Sequence, residues 1–342
     1  MDLSDIGEFK LIEILADKIS SARKNTKSAV NKPDDSFLLT IGDDAAAWNT
    51  LEETNVITTD AMVEGIHFDL SKTSWKDLGW KSLAVNLSDI AAMGCIPKLS
   101  TVSLGLQPST PVEGITQLYE GMLEICNLYG GSIVGGDIVK SPNLFISIAM
   151  LGYSTNLGQD VLNRSSAQIN DYIGVTGSLG NSAGGLRLLI ANKPDDPITK
   201  NHLKPQPRVK EGLKIRQLGI KTAIDISDGL VSDIGKICVA SGVKAIIDAS
   251  RIPVSLELKT LFPKDYLSLA LSGGEDYELL FTGTEEQLSR LESELDTSIT
   301  VIGHIEKGEG VELINTYQNP IKLQTQGWDH FTYTKGFVPD IR

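Results

Sequence analysis

This chain is poor in the residues that most often build redox, zinc or nucleophilic centres. Its 342 residues include three cysteines and four histidines. Cys95, Cys126 and Cys238 are far apart and follow neither a metal nor a redox spacing, so they read as small apolar residues in a reducing compartment. The histidines form no zinc pattern. Bases are also scarce, 31 against 44 acids, for a net charge of −13. That deficit argues against a general nucleic-acid or anionic-membrane surface, both of which need a basic footprint. An anionic substrate would then require metal ions or a few placed arginines, although an acidic surface also serves plain solubility. No apolar run approaches membrane-spanning length, and no Gly-Lys-Ser/Thr of a Walker loop occurs. The start, Met1-Asp2-Leu3-Ser4-Asp5, shows no signal peptide. It leads into an amphipathic stretch with Phe9, Ile12, Leu15, Ala16 and Ile19 at helical spacing, so cytoplasm is the expected location.

What is present is an ordinary globular composition, 41% hydrophobic and 22% charged, in a chain too long for a single typical core. Six short motifs set aspartate beside glycine, serine or threonine: Gly42-Asp43-Asp44, Thr58-Thr59-Asp60, Asn86-Leu87-Ser88-Asp89, Gly135-Gly136-Asp137, Asp225-Ile226-Ser227-Asp228 and Gly273-Gly274-Glu275-Asp276. Any one of them could merely cap a helix or close a turn. Six in one chain favour a shared site, because converging carboxylates repel one another unless cations sit between them. Hard oxygen donors of this kind suit magnesium, and magnesium suggests phosphate.

Periodicity organises the chain around these motifs. Lys24 to Asp35 is polar and reads as a surface loop before a strand from Phe37 to Ile41, which ends at Gly42-Asp43-Asp44. A second strand, Asn55 to Thr59, is expected to end at Asp60. Asp77 to Met93 is helical, stopped by Gly94 with Pro97 beyond. On it Leu83, Leu87 and Ile90 form one face, and Ser82, Asn86, Asp89 and Met93 another, read as lining a site rather than meeting solvent. A helix over Val112 to Leu128, a strand near Ile133 meeting Gly135-Gly136-Asp137, and a β-like run from Leu144 to Tyr153 complete the first half. Ser154 to Gln168 is polar and irregular, placing a boundary between domains at 1–155 and 156–342. In the second half the pattern predicts strands Tyr172 to Thr176, Thr222 to Ile226, Ala245 to Asp248 and Tyr277 to Thr282. Helices are predicted over Leu186 to Ala191 and Leu230 to Ala240. The glycine-rich stretch 177–185 could turn amides toward phosphate.

With these motifs in place the chain resembles the thiamine-monophosphate kinases, a branch of the aminoimidazole ribonucleotide synthetase (PurM-like) superfamily of ATP-using enzymes. The matching text includes Thr-Thr-Asp-Ala-Met-Val-Glu-Gly-Ile-His-Phe at 58–68, Lys-Ser-Leu-Ala-Val-Asn-Leu-Ser-Asp-Ile-Ala-Ala-Met-Gly at 81–94, Leu-Ser-Gly-Gly-Glu-Asp-Tyr-Glu-Leu at 271–279 and Gly-Trp-Asp-His-Phe at 327–331. The resemblance implies an α/β (α+β) two-domain fold, an N-terminal ATP- and magnesium-binding domain that pairs with its twin in a homodimer, and a C-terminal α/β domain. It implies transfer from ATP, as co-substrate, to thiamine monophosphate with several magnesium ions. It makes Asp44, Asp60, Asp89, Asp137, Asp225 and Asp228 magnesium ligands, with Thr58 and Thr59 contributing. Asp60, Asp89, Asp137 and Asp225 are then the catalytic set. Gly136, Asp137, Arg164 and Ser227 match ATP contacts, and His67, Glu275 and Trp328 match thiamine contacts. Two departures stand out: Ile138-Val139 where relatives carry threonines, and Gly158-Gln159 where many read Gly-Arg.

The residues themselves leave some of these roles open. A lone histidine beside phenylalanine is as readily a packed residue as a substrate contact. Trp328 suits a flat cationic ring but also suits a core, Glu275 offers either a countercharge or an acceptor, and Arg164 can clamp phosphate or pair with an acid. The acceptor phosphate is already ionised at neutral pH, so no general base is needed, and no Ser-His-Asp set is apparent. Sister activities fit less well: the earliest cysteine is Cys95, and the chain ends Val338-Pro339-Asp340-Ile341-Arg342 without the C-terminal cysteine of a dehydrating maturation factor. A nucleotide or thiamine-phosphate sensor without turnover would have little need for so many acidic motifs.

Overall fold

The structure is a computed structural model that describes residues 10–14, 16–17, 37–39, 41–50, 53–155, 161–317 and 319–321. Residues 10–14 and 16–17 are helical, in line with the amphipathic start. The loop expected over 24–35, Gly158-Gln159 and Trp328 lie outside the described residues.

The first half runs β1 (Phe37–Leu39), β2 (Ala46–Asn49), β3 (Thr54–Val63), α1 (Trp75–Ala92), β4 (Ile96–Leu106), α2 (Val112–Tyr129), β5 (Ser132–Lys140) and β6 (Phe145–Ser154). Its strands form one sheet in the order β1-β2-β3-β6-β4-β5. Neighbours are antiparallel except β4 and β5, a parallel pair joined through α2, as a crossover connection requires. The second half runs β7 (Tyr172–Thr176), α3 (Asn181–Ile190), α4 (Thr199–Leu203), α5 (Val209–Gln217), β8 (Thr222–Asp225), α6 (Leu230–Ser241), β9 (Lys244–Asp248), α7 (Leu256–Leu261), α8 (Tyr266–Ser272), β10 (Leu279–Gly283), α9 (Glu285–Glu294), β11 (Ile299–Glu306) and β12 (Gly310–Ile314). Its sheet has the order β12-β9-β11-β7-β10-β8, with β12 and β9 parallel. Two mixed sheets dressed with helices are the α/β architecture that the resemblance implied.

Helix α1 is the element that positions the site. Ser74 caps it by accepting the Asp77 amide, Asp77 complements the N-terminal dipole, and Gly94 at φ 64 turns the chain out in the left-handed region. Leu83, Leu87 and Ile90 pack into the first core with Val102, Leu118 and Ile148. The opposite face was expected to line a site. Of its residues Asp89 reaches the acidic cluster, Ser82 and Asn86 are buried and Met93 packs into the first core, while the neighbouring Ala91 and Ala92 share a core with Leu162, Val209 and Ile215 of the second half. At Gly212 of α5 an added Cβ would lie 2.0 Å from the Ala91 carbonyl oxygen, so glycine is what lets the two helices touch. A helix with apolar or small residues all round is buried all round.

Two strands run past the motifs expected to end them. β3 continues through Thr58-Thr59-Asp60 to Val63, because Ala61, Met62 and Val63 still pair with β6. β5 passes straight through Gly135-Gly136-Asp137, held in register by β4. Nearly all of β5 is solvent-exposed, including Val134, Ile138 and Val139. No helix among the described residues is long and apolar enough to cross a membrane.

Candidate active site

Four of the acidic motifs meet where α1 and β3 of the first half face β8 of the second. Asp44 follows the turn before β2, Asp60 sits in β3, Asp89 lies on the last turns of α1, and Asp225 ends β8. Carboxylate oxygens of Asp44, Asp89 and Asp225 all lie within 4.8 Å of one another, and Asp60 is within hydrogen-bond reach of Asp89. Val56, Thr58 and Asp60 share a β3 face by the two-residue period, so the Thr58 hydroxyl donates to Asp89 Oδ2. From the second half Asp225 Oδ2 accepts the Ser88 hydroxyl at 2.6 Å. Arg164 lies along this junction and forks onto Asp44, Nη2 to Oδ1 at 2.7 Å and Nε to Oδ2 at 3.3 Å. Its own amide donates to Asp43 Oδ2 at 3.1 Å.

The electrostatics are strained in one direction. Burial raises the pKa of Asp89, and repulsion from Asp60, Asp225 and Asp44 raises it further. Burial and Asp44 do the same to Asp225, and burial raises Asp60. Carboxylates crowded this closely favour any arrangement that places positive charge among them. The donor set is all oxygen, without sulfur or imidazole in the trio, which fits magnesium rather than a softer metal.

Two of the predicted substrate residues, His67 and Glu275, lie near each other. His67 sits in the turn after β3, with Nδ1 accepting the Val63 amide at 3.0 Å, and lies close enough to Glu275 to help hold that carboxylate's pKa down. Glu275 and Tyr277 both adopt left-handed backbone, φ 65 and φ 52. Tyr277 is buried, and its phenol pKa is pushed up by burial and then by Glu275, Asp60, Asp225 and Asp89. Strained backbone of this kind gathers at functional sites.

Other predicted residues do not join the trio. Thr59 faces the opposite side of β3 from Thr58, and its hydroxyl donates to the Ile148 carbonyl at 3.0 Å. Asp228 lies on the turn beyond β8 and pairs with Lys236 at 2.7 Å. The Ser227, Asp228 and Gly229 amides all point at Asp233 Oδ2. Asp60, Ile148, Val102 and Gly136 form one row across the sheet, so Gly136 and Asp137 stand three strands, about 14 Å, from Asp60. In the stretch 177–185 the Asp276 carboxylate accepts the Gly180 and Ser182 amides at 2.6 and 3.1 Å, and the Gly177 and Leu179 amides donate to the Ser298 and Pro253 carbonyls. Ser88, Tyr277, Asp233 and Asp276 escaped the sequence reading. All are inside or next to the quoted motifs, but nothing local distinguishes their roles.

The two halves match the N-terminal and C-terminal domains of the AIR synthase related proteins, over residues 42–154 and 168–315. Fold and site together therefore define a two-domain protein of the AIR-synthase-related class. The chain is 35% identical over 339 residues to the thiamine-monophosphate kinase of Aquifex aeolicus (strain VF5), spanning 97% of this chain and 100% of that one. It is 38% identical over 337 residues to that of Escherichia coli (strain K12), with 95% and 98% spanned. A solved structure, AaThiL complexed with AMPPCP and TMP, matches with a TM-score of 0.83 at 33% identity, over 97% of this chain and 99% of that chain. The chain belongs to the thiamine-monophosphate kinase family.

Proposed function

We propose that this protein transfers the γ-phosphoryl group of ATP to the phosphate of thiamine monophosphate, giving thiamine diphosphate and ADP. The observation that carries this reading is the convergence of Asp44, Asp60, Asp89 and Asp225 from both halves of the chain, in a sequence that aligns end to end with family members. An oxygen of the acceptor phosphate attacks the γ-phosphorus. The bond to the β,γ-bridging oxygen breaks, and its electron pair leaves with ADP. Magnesium ions, when bound, supply neutralisation of the two phosphate groups and stabilisation of the loose transition state. Asp44, Asp60, Asp89 and Asp225 would hold them, and Asp228 and Asp137, which stand outside this cluster in the single chain, would be further ligands.

Thr58 and Ser88 orient Asp89 and Asp225 through the hydroxyl bonds they donate. Arg164 stays fully charged on Asp44, at the rim where nucleotide phosphates would arrive. Ser227 and Gly136 complete the nucleotide contacts, while His67, Glu275 and Trp328 hold the thiamine moiety. No proton need be removed from the acceptor, since phosphate is ionised at neutral pH. We assign residues 1–155 to the ATP- and metal-binding domain and 156–342 to the C-terminal domain.

The exposed strand β5 supports a homodimer. It carries Gly136 and Asp137 beside Val134, Ile138 and Val139 on an uncovered edge, a pattern that favours pairing with a second copy. Such a copy would cover this edge and supply the Gly-Gly-Asp motif that a single chain holds apart from Asp60. The test of the activity is a chromatographic assay with ATP, magnesium and thiamine monophosphate, beside free-thiamine and no-acceptor controls. Thiamine diphosphate formed one-for-one with ADP, and only from the monophosphate, is the expected result. ADP without thiamine diphosphate would move the acceptor to a sister activity.

A further inference from the structure

Lys81 is an unusual lysine. It stands on α1 in the first half, its side chain is 2% exposed, and its ammonium group is directed into the second half. Nζ lies 2.9 Å from Glu275 Oε1 and 3.2 Å from His202 Nε2. An ammonium only donates, so Nε2 must accept, and a neutral imidazole then carries its proton on Nδ1. Burial, reinforced by Lys81, pushes His202 down to about 4, which keeps the ring neutral at physiological pH. The Nδ1–H faces Ser182 Oγ at 3.1 Å and Glu275 Oε2 at 3.2 Å. Both carboxylate oxygens of Glu275 are thus gripped, one by the first half and one by the second. The backbone agrees: the Glu275 amide donates to the Ser227 carbonyl at 2.8 Å, within the left-handed segment that a surrounding network must stabilise.

We propose that Lys81 and His202 are positioning residues for the phosphoryl acceptor, clamping Glu275 so that it presents a directed lone pair, not net negative charge, to an N–H donor on the thiamine ring system. The inference rests on the kinase reading above. Lys81 and Glu275 together are neutral, so the ammonium offsets part of the carboxylate's pull on a cationic ring. What remains is an oriented acceptor on a side chain still 28% exposed, next to His67. A donor such as the exocyclic amine of the aminopyrimidine satisfies it, and an analogue bearing a carbonyl there sets acceptor against acceptor. Sites built to hydrogen-bond a polar group reject ligands lacking it far more strongly than apolar pockets reject a missing methylene.

The test is a cycle of full-length K81M, E275Q and K81M/E275Q, with KM measured separately for ATP and thiamine monophosphate and for its oxo analogue. Wild type should use the oxo analogue at least tenfold less efficiently. K81M should raise KM for thiamine monophosphate about tenfold, leave KM for ATP within twofold and narrow the discrimination. In the E275Q background the Lys81 change should add less than twofold, because it acts through Glu275. H202F should reproduce the K81M signature, and it carries the test should K81M fail to fold. A thiamine monophosphate KM within twofold of wild type in the folded variants, equal effects on both substrates, or effects that multiply in the double variant would overturn the clamp. Wild type making no thiamine diphosphate would instead remove the kinase reading itself.

Discussion

Replacing Asp89 with Asn removes one charge from the acidic cluster while keeping its shape and an oxygen to accept the Thr58 hydroxyl. Carboxylate oxygens of Asp44, Asp89 and Asp225 lie within 4.8 Å of one another. At that separation two full charges repel by about 3.5 kcal/mol at an effective dielectric of 20. Part of this is already relieved by proton uptake, since burial and neighbouring acids raise the Asp89 pKa. The amide should therefore stabilise the metal-free protein by about 1 to 3 kcal/mol, a rise of a few degrees in Tm. Turnover should move the other way, falling about a hundredfold or more at saturating magnesium, as when a transition-state electrostatic contact is lost. Calorimetry in a chelator and the ADP-coupled assay read the two effects separately. A variant with turnover within threefold of wild type, or with a lower metal-free Tm, would refute the cluster's role.

The same charges make metal-free stability depend on pH. Folded pKa values of Asp60, Asp89 and Asp225 are raised, so this contribution is full below the unfolded value of about 4 and is lost as pH rises through the folded values, about 6 for Asp60. The excess of D60N over wild type in metal-free Tm should accordingly shrink between pH 7 and pH 5. Adding magnesium at pH 7.5 should raise the wild-type Tm, by about 2.7 kcal/mol equivalent at a hundred times Kd, and raise that of D89N much less. Gly212→Ala should cost about 1 to 3 kcal/mol in urea unfolding, because its Cβ would sit 2.0 Å from the Ala91 carbonyl; an unchanged midpoint would mean that α5 can move off α1. Ile138→Glu on the exposed edge of β5 should convert a sedimenting dimer into monomer with loss of activity, and a persistent dimer would place the contact elsewhere.

Much of this molecule was legible in local signals. The predicted strand Tyr172 to Thr176 coincides with β7, and the predicted helices Val112 to Leu128 and Leu230 to Ala240 differ from α2 and α6 by one terminal residue each. Helix α1 ends where Gly94 and Pro97 said it would. Capping, glycine conformation and apolar period act within a turn or two, so the chain displays them openly. The acidic motifs were equally visible, because their chemistry lies in residue type.

Which motifs meet is another matter. Asp44, Asp60, Asp89 and Asp225 converge because α1 is packed on both faces and β8 comes to its end, whereas Asp137 is held three strands away by the β4 and β5 register. Sheet order and pairing register are set by contacts between distant segments, and no window of sequence contains both partners. Asp276 occupying the α3 amides and Lys81 reaching His202 and Glu275 belong to the same category. Sequence alone determined the local elements and the chemical vocabulary of the site. Tertiary structure decided which carboxylates crowd together, which find a cation in the protein and which remain exposed, because burial and proximity exist only once the two halves have closed on α1.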